Sequence, residues 1–196
     1  APKITAGLPV RVILDALLKQ PFANDSNSLN REFYSELLHI IGLEEVKDKG
    51  KKIIRRKPET HRKAGSLLEN ASDHIRTRHK LNNLSHPEQY GETEDDQCFS
   101  VALELCITWL NRLLFLKLLE GQLISYHKGD RSYAFLNNSR VSNFDELNEL
   151  FFDVLAVRVD ERSQAVQSRF GNIPYLNSSL FEESELEKAV MCINDL

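Results

Sequence analysis

Glycine and proline are sparse in this chain, at 8 and 6 of 196 residues, so few positions force a helix to break. Long helices are therefore possible. Cysteine is scarcer still: Cys98, Cys106 and Cys192 are odd in number and show no C-x-x-C spacing. That excludes a disulfide framework and a thiolate zinc site, and it points to a reducing cytoplasm as the compartment. No signal-peptide pattern follows Ala1. An uninterrupted membrane-length apolar run is also missing. The stretch from Phe99 to Ile124 contains Glu104, Arg112, Lys117 and Glu120, each costly near a bilayer centre, so it reads as a buried helix and no membrane partner is expected. There is no internal repeat and no low-complexity tract.

What remains is an ordinary globular composition, 41% hydrophobic and 28% charged, long enough to bury one real core. The net charge of −4 does not itself suggest nucleic acid, but its distribution is uneven. From Lys47 to Lys63, nine Lys/Arg stand against Asp48 and Glu59, a local balance of +7 on a chain that is otherwise acidic.

Three helices follow from apolar periodicity. Leu29, Phe33, Leu37, Ile40 and Ile41 share a face, and Gly42 follows as a residue that tolerates a left-handed cap. The longest helix runs from about Asp96 to Tyr126 and is apolar nearly all round. Its polar stripe of Glu104, Thr108, Asn111 and Arg112 predicts a bundle centre with one hydrogen-bonded or wet face. The third helix begins at Asn143, with Glu146 placed to reach back, and carries Leu147, Leu150, Phe151, Val154 and Leu155. Shorter helices are expected at Pro9–Gln20, Gly65–Leu81, Glu161–Arg169 and Glu183–Asn194. Two β-hairpins are candidates, Lys47–Lys57 around Lys49-Gly50 and Tyr126–Asn137 around Gly129-Asp130. Residues 82–97 read as an exposed linker. The expected fold is mainly α: an irregular helical bundle around a long buried central helix, with one or two small hairpins.

Few residues form a recognisable reactive constellation. Glu45-Val46-Lys47, with Asp25 upstream, has the local form of a metal-dependent nuclease site. The segment between them reads as helix, so Glu45–Lys47 is taken as a solvated helix end. Asn172-Ile173-Pro174-Tyr175 is close to the Asn-Pro-Pro-Tyr loop of amino-methyltransferases, but Ile173 stands where a proline belongs and no Gly-rich cofactor turn precedes it. It reads as a turn leading into Leu176–Phe181. His74 and His79 diverge on a helix, His61, His86 and His127 lie in polar stretches, and no Ser or Cys sits in a nucleophile elbow. The basic element is left, with Lys51, Lys52, Arg55, Arg56, Lys57, Arg62 and Lys63 as DNA-backbone candidates. Such a run either tracks phosphates or is a solvated loop that balances an acidic body.

Four phrases carry a resemblance. Asn30–Glu45 (NREFYSELLHIIGLEE), Trp109–Glu120 (WLNRLLFLKLLE), Asp145–Ala156 (DELNELFFDVLA) and Ile173–Glu182 (IPYLNSSLFE) look like the helical region of large Eco57I-like, type IIG bacterial restriction–modification enzymes. The resemblance implies one polypeptide with a nuclease domain, a helical connector, an N6-adenine methyltransferase domain and a target-recognition region. This chain would be the connector, a single domain over 1–196. Residues 47–63 would be a basic hairpin or loop and 172–196 the approach to a following methyltransferase domain. The parent enzyme would use S-adenosylmethionine and Mg²⁺ on double-stranded DNA, with no cofactor held in this segment. None of the family's catalytic residues carries over, because none of its catalytic motifs is present. Asn111 and Arg112 are expected to be interior polar residues joining helices. From other classes, a free-standing helical protein-interaction module and a hydrolase with a site scattered over several helices stay open.

Overall fold

The first described helix, α1 (Arg31–Ile41), buries Phe33, Ile40 and Ile41 in a computed structural model that describes residues 31–196. The expected Pro9–Gln20 helix, Asp25 and Leu29 lie outside those residues. Gly42 ends α1 as its position implied: φ is +101° and its N–H donates to the Leu38 carbonyl at 3.0 Å. The chain then turns into strand β1 (Leu43–Asp48), which pairs antiparallel with β2 (Lys51–Arg56) through Lys49 and Gly50, both with positive φ. The hairpin therefore begins four residues before the expected Lys47, and Glu45-Val46-Lys47 lies on a strand, not at a helix end. The β-branched Val46, Ile53 and Ile54 favour the pleated surface and register there.

Helix α2 (Leu67–Thr77) lays Leu67, Leu68, Ala71 and Ile75 against the long helix α3 (Glu94–Tyr126). Residues 82–93 are mostly exposed but include short 3-10 turns, one of them at Pro87–Tyr90. Thr93 caps α3, its hydroxyl accepting from the Asp96 N–H at 3.2 Å, and three carboxylates in the first turn complement the helix dipole. One face of α3 is core: Val101, Ala102, Leu105, Trp109, Leu113 and Leu116 are almost fully buried. By length and composition α3 could span a membrane, yet half of its most apolar window is buried within the domain.

After α3, the expected second hairpin does not form. Lys128 and Gly129 adopt positive φ, a 3-10 turn follows at Arg131–Tyr133, and the chain folds back beneath α3. Buried Glu120 makes that return possible by accepting from the Phe135 and Leu136 N–H groups at 2.8 and 2.6 Å. The backbone donors that a strand partner would have satisfied are taken by one carboxylate. Helix α4 (Phe144–Glu149) is capped by Asn143, whose side-chain oxygen accepts from the Glu146 N–H at 2.8 Å. Glu146 reaches back one residue further than expected, to Ser142. The helix continues as a π-helical stretch (Leu150–Leu155) that buries Leu150, Phe151, Val154 and Leu155. Two short helices, α5 (Gln164–Phe170) and α6 (Glu185–Ala189), close the fold, with α6 shorter than Glu183–Asn194. The architecture is mainly α, with one two-stranded hairpin beside a long central helix.

Candidate nucleic-acid interface

The hairpin register sorts the basic candidates into two groups. Glu44 lies opposite Arg55, and Arg55 Nε donates to Glu44 Oε1 at 2.9 Å. Lys52 Nζ is 2.8 Å from Glu45 Oε1. Both acids lie just before the Lys47–Lys63 window, so the +7 read along the chain is partly neutralised across the ribbon. Over Leu43–Arg56, six cations face three carboxylates, a balance of +3.

Arg56 is not a surface cation. Its side chain is 13% exposed, it chelates Glu69 through Nε and a terminal nitrogen at 2.9 and 2.7 Å, and it reaches Asp95 at 3.3 Å. Its guanidinium also lies over the Phe99 ring at 4.9 Å. Asp95 in turn pairs with Arg76. The expectation that Arg56 is an available phosphate contact is thereby corrected: it fastens the hairpin to α2 and α3. Arg62 is similarly engaged, donating to the Lys57 carbonyl at 3.0 Å and lying 3.9 Å from Glu69. Lys57 is half-buried and Lys63 exposed.

The ribbon's free end is different. Lys47 stands directly opposite Lys52, Lys51 opposite Asp48, and Lys49 holds the turn at φ 47°. All four lysines are exposed, and among the described residues Lys47, Lys49 and Lys51 enter no ion pair. Like charges directly across a ladder destabilise it, so this arrangement costs the isolated ribbon stability. Lys47 and Lys49 belong with the candidates on this geometry, although the sequence reading placed neither among its DNA-contacting residues. Their signal was the turn they flank.

No reactive constellation accompanies the ribbon. Glu45 accepts from Tyr34 and pairs with Lys52, and its carboxyl is held below the usual range by those two bonds. Among the described residues, no three His, Cys, Asp or Glu side chains come together as metal ligands. Ile173 of the Asn172–Tyr175 turn is buried and its carbonyl accepts from Arg162, which ties the turn into the fold. Burial raises the thiols of Cys98 and Cys106, and it pushes Cys192 up to about 12.

Arg112 is the interior polar residue expected of it, but Asn111 is exposed. The Arg112 guanidinium pairs through both terminal nitrogens with the buried Glu187 carboxylate, with one bond of 2.8 Å. It also donates to the Leu180 and Glu182 carbonyls at 2.6 and 2.8 Å. Trp109 Nε1 donates to the same carboxylate at 3.0 Å, and the Phe152 ring lies 5.0 Å from the guanidinium. This network pins the C-terminal segment to α3 and leaves no open face for a ligand. No curated protein and no solved structure matches the chain. Residues 26–196 match a family described as a domain of unknown function (DUF7814), and the chain belongs to that family.

Proposed function

We propose that this domain is the helical connector of a bacterial type IIG restriction–modification enzyme, and that it touches DNA backbone through the free end of its hairpin. The parent would methylate adenine with S-adenosylmethionine and cut DNA with Mg²⁺ in the cytoplasm, both activities residing in domains outside this segment. The observation that carries the DNA contact is the exposed lysine cluster at the ribbon end, where Lys47 and Lys52 are held side by side. A two-stranded ribbon is narrow enough to enter a major groove, and its lysines would supply sequence-independent affinity by displacing counterions. The four phrases from Asn30–Glu45 to Ile173–Glu182 support the connector reading.

The test is fluorescence anisotropy with duplex DNA over a range of salt concentrations. Binding should be weak, indifferent to sequence and steeply reduced by salt. Changing Lys47, Lys49 and Lys51 together to Ala should lower the salt slope by up to about three phosphate contacts. An unchanged slope would remove DNA from the reading.

A further inference from the structure

At its C-terminal end α3 carries an exposed aromatic cluster. Tyr126, the last residue of the helix, is 83% exposed, and its ring meets His127 edge-on at 5.1 Å. His127 in turn stacks flat on Tyr133, with centroids 3.8 Å apart and planes 7° from parallel. Backbone hydrogen bonds fix the turn between them. Lys128 and Gly129 adopt φ of 58° and 88°. The His127, Lys128 and Gly129 N–H groups donate to the Leu123, Ser125 and Ile124 carbonyls at 3.0, 3.1 and 2.8 Å. The rings are thus held in place before anything binds.

Positive charge accompanies these rings. Between Glu120 and Asp145 the chain holds Lys128, Arg131 and Arg140 against Asp130 alone. The Asp130 carboxylate is occupied by the backbone, accepting from the Ser132 N–H at 2.9 Å. Lys128 and Arg131 are exposed and, among the described residues, enter no ion pair. Arg140 folds back onto the same turn, its guanidinium donating to the Ser132 carbonyl at 3.3 Å, next to Tyr133. A freely exposed ring beside unpaired cations suits a nucleobase with its neighbouring phosphates. A neutral sugar would use the ring without the cations, and an acidic peptide the cations without the ring. In a duplex both faces of each base are covered by stacking, so only an unpaired base can use the Tyr126 ring. We propose that Tyr126 stacks an unpaired base of a single-stranded nucleic acid, with Lys128 and Arg131 on the phosphates to either side. The hairpin is a different site: its Arg56 lies over Phe99, about 40 Å along α3 from Tyr126.

Fluorescence anisotropy of the full chain with a labelled single-stranded oligonucleotide of mixed sequence, and with its duplex, tests this. The single strand should bind the more tightly. Tyr126→Leu, at a surface position, should leave the melting temperature and duplex binding unchanged. It should weaken single-strand binding by about 5- to 150-fold, the range for one lost base stack. Tyr126→Trp should keep the affinity, with indole fluorescence quenched as strand is added. The chain's one native tryptophan, Trp109, is fully buried and out of reach of the strand. Changing Lys128 and Arg131 together to Ala should lower the salt slope on single strand by about 1.4. Single-strand affinity that is the same in Tyr126→Leu as in the parent, or a Tyr126→Trp chain that is not quenched, would overturn the proposal. The Lys47, Lys49 and Lys51 variant should keep single-strand binding whatever its effect on duplex. Loss of single-strand binding in that variant would assign it to the hairpin and overturn the proposal as well.

Discussion

The Arg112 guanidinium and the Glu187 carboxylate are both withdrawn from water, and each compensates the other's buried charge. Burial pushes the Glu187 carboxyl upward, but the Arg112 bonds and the Ser184 N–H outweigh it, and the group is held below its ordinary 4.5. A depressed folded-state value stabilises the fold above the unfolded value, and that contribution is lost as pH falls through the folded one. Stability should therefore decline below pH 4.5 in the parent, and Glu187→Gln should flatten that decline in urea melts taken across acidic pH. At neutral pH the same variant leaves a buried cation partly uncompensated and should cost about 3–5 kcal/mol. Gly42 poses a backbone question instead. A Cβ there would lie 2.6 Å from Ser66 Oγ, at a φ that only glycine adopts freely, and that hydroxyl is already donating to the Lys63 carbonyl. Gly42→Ala should lower the unfolding free energy by at least about 1 kcal/mol, read by thermal denaturation.

At the scale of elements, the hairpin has two ends with different work. Arg56 anchors one end, and Arg56→Ala should lower the melting temperature, while the Lys47, Lys49 and Lys51 changes should leave it nearly unaltered. A triple change of Lys52, Arg55 and Arg56, natural from the charge run alone, would confuse the two effects. Along α3, neighbouring leucines differ in the same way. Leu113 is 1% exposed and Leu113→Ala should cost about 2–5 kcal/mol in chemical denaturation. Leu114, on the half-buried flank, should cost clearly less. Equal losses would mean that α3 is enclosed on both sides. Periodicity alone could not rank the two, because α3 is apolar nearly all round and only its neighbours decide which flank is covered.

For the whole molecule, the connector reading makes a negative forecast with a direct measurement. Calorimetry with S-adenosylmethionine should show no site in this chain, since the described part offers no glycine-rich strand-to-helix turn to hold it. Micromolar binding at one site would refute a non-catalytic connector. The family match, which begins at residue 26 and runs to the end of the chain, treats α1, the hairpin and the C-terminal segment as parts of one unit. The Arg112–Glu187 network and the Arg56 clasp are the physical reasons why they cohere.

Local pattern was sufficient for α1, α3 and the start of α4, because each carries its period, its cap or its glycine within a few residues of sequence. The same holds for the turn at Lys49-Gly50, where left-handed backbone is needed on both sides of one bond. Long-range pairing was not legible. Whether Arg56 meets Glu69 or solvent, whether Arg112 finds Glu187, and whether Phe135 and Leu136 bond to Glu120 or to a strand depend on residues brought together only by packing. Charge read along the chain made one basic block of residues 47–63. Antiparallel register laid Glu44 and Glu45 against Arg55 and Lys52, and left Lys47, Lys49 and Lys51 at the ribbon end outside any ion pair among the described residues, because Coulomb attraction acts through space and not along the sequence.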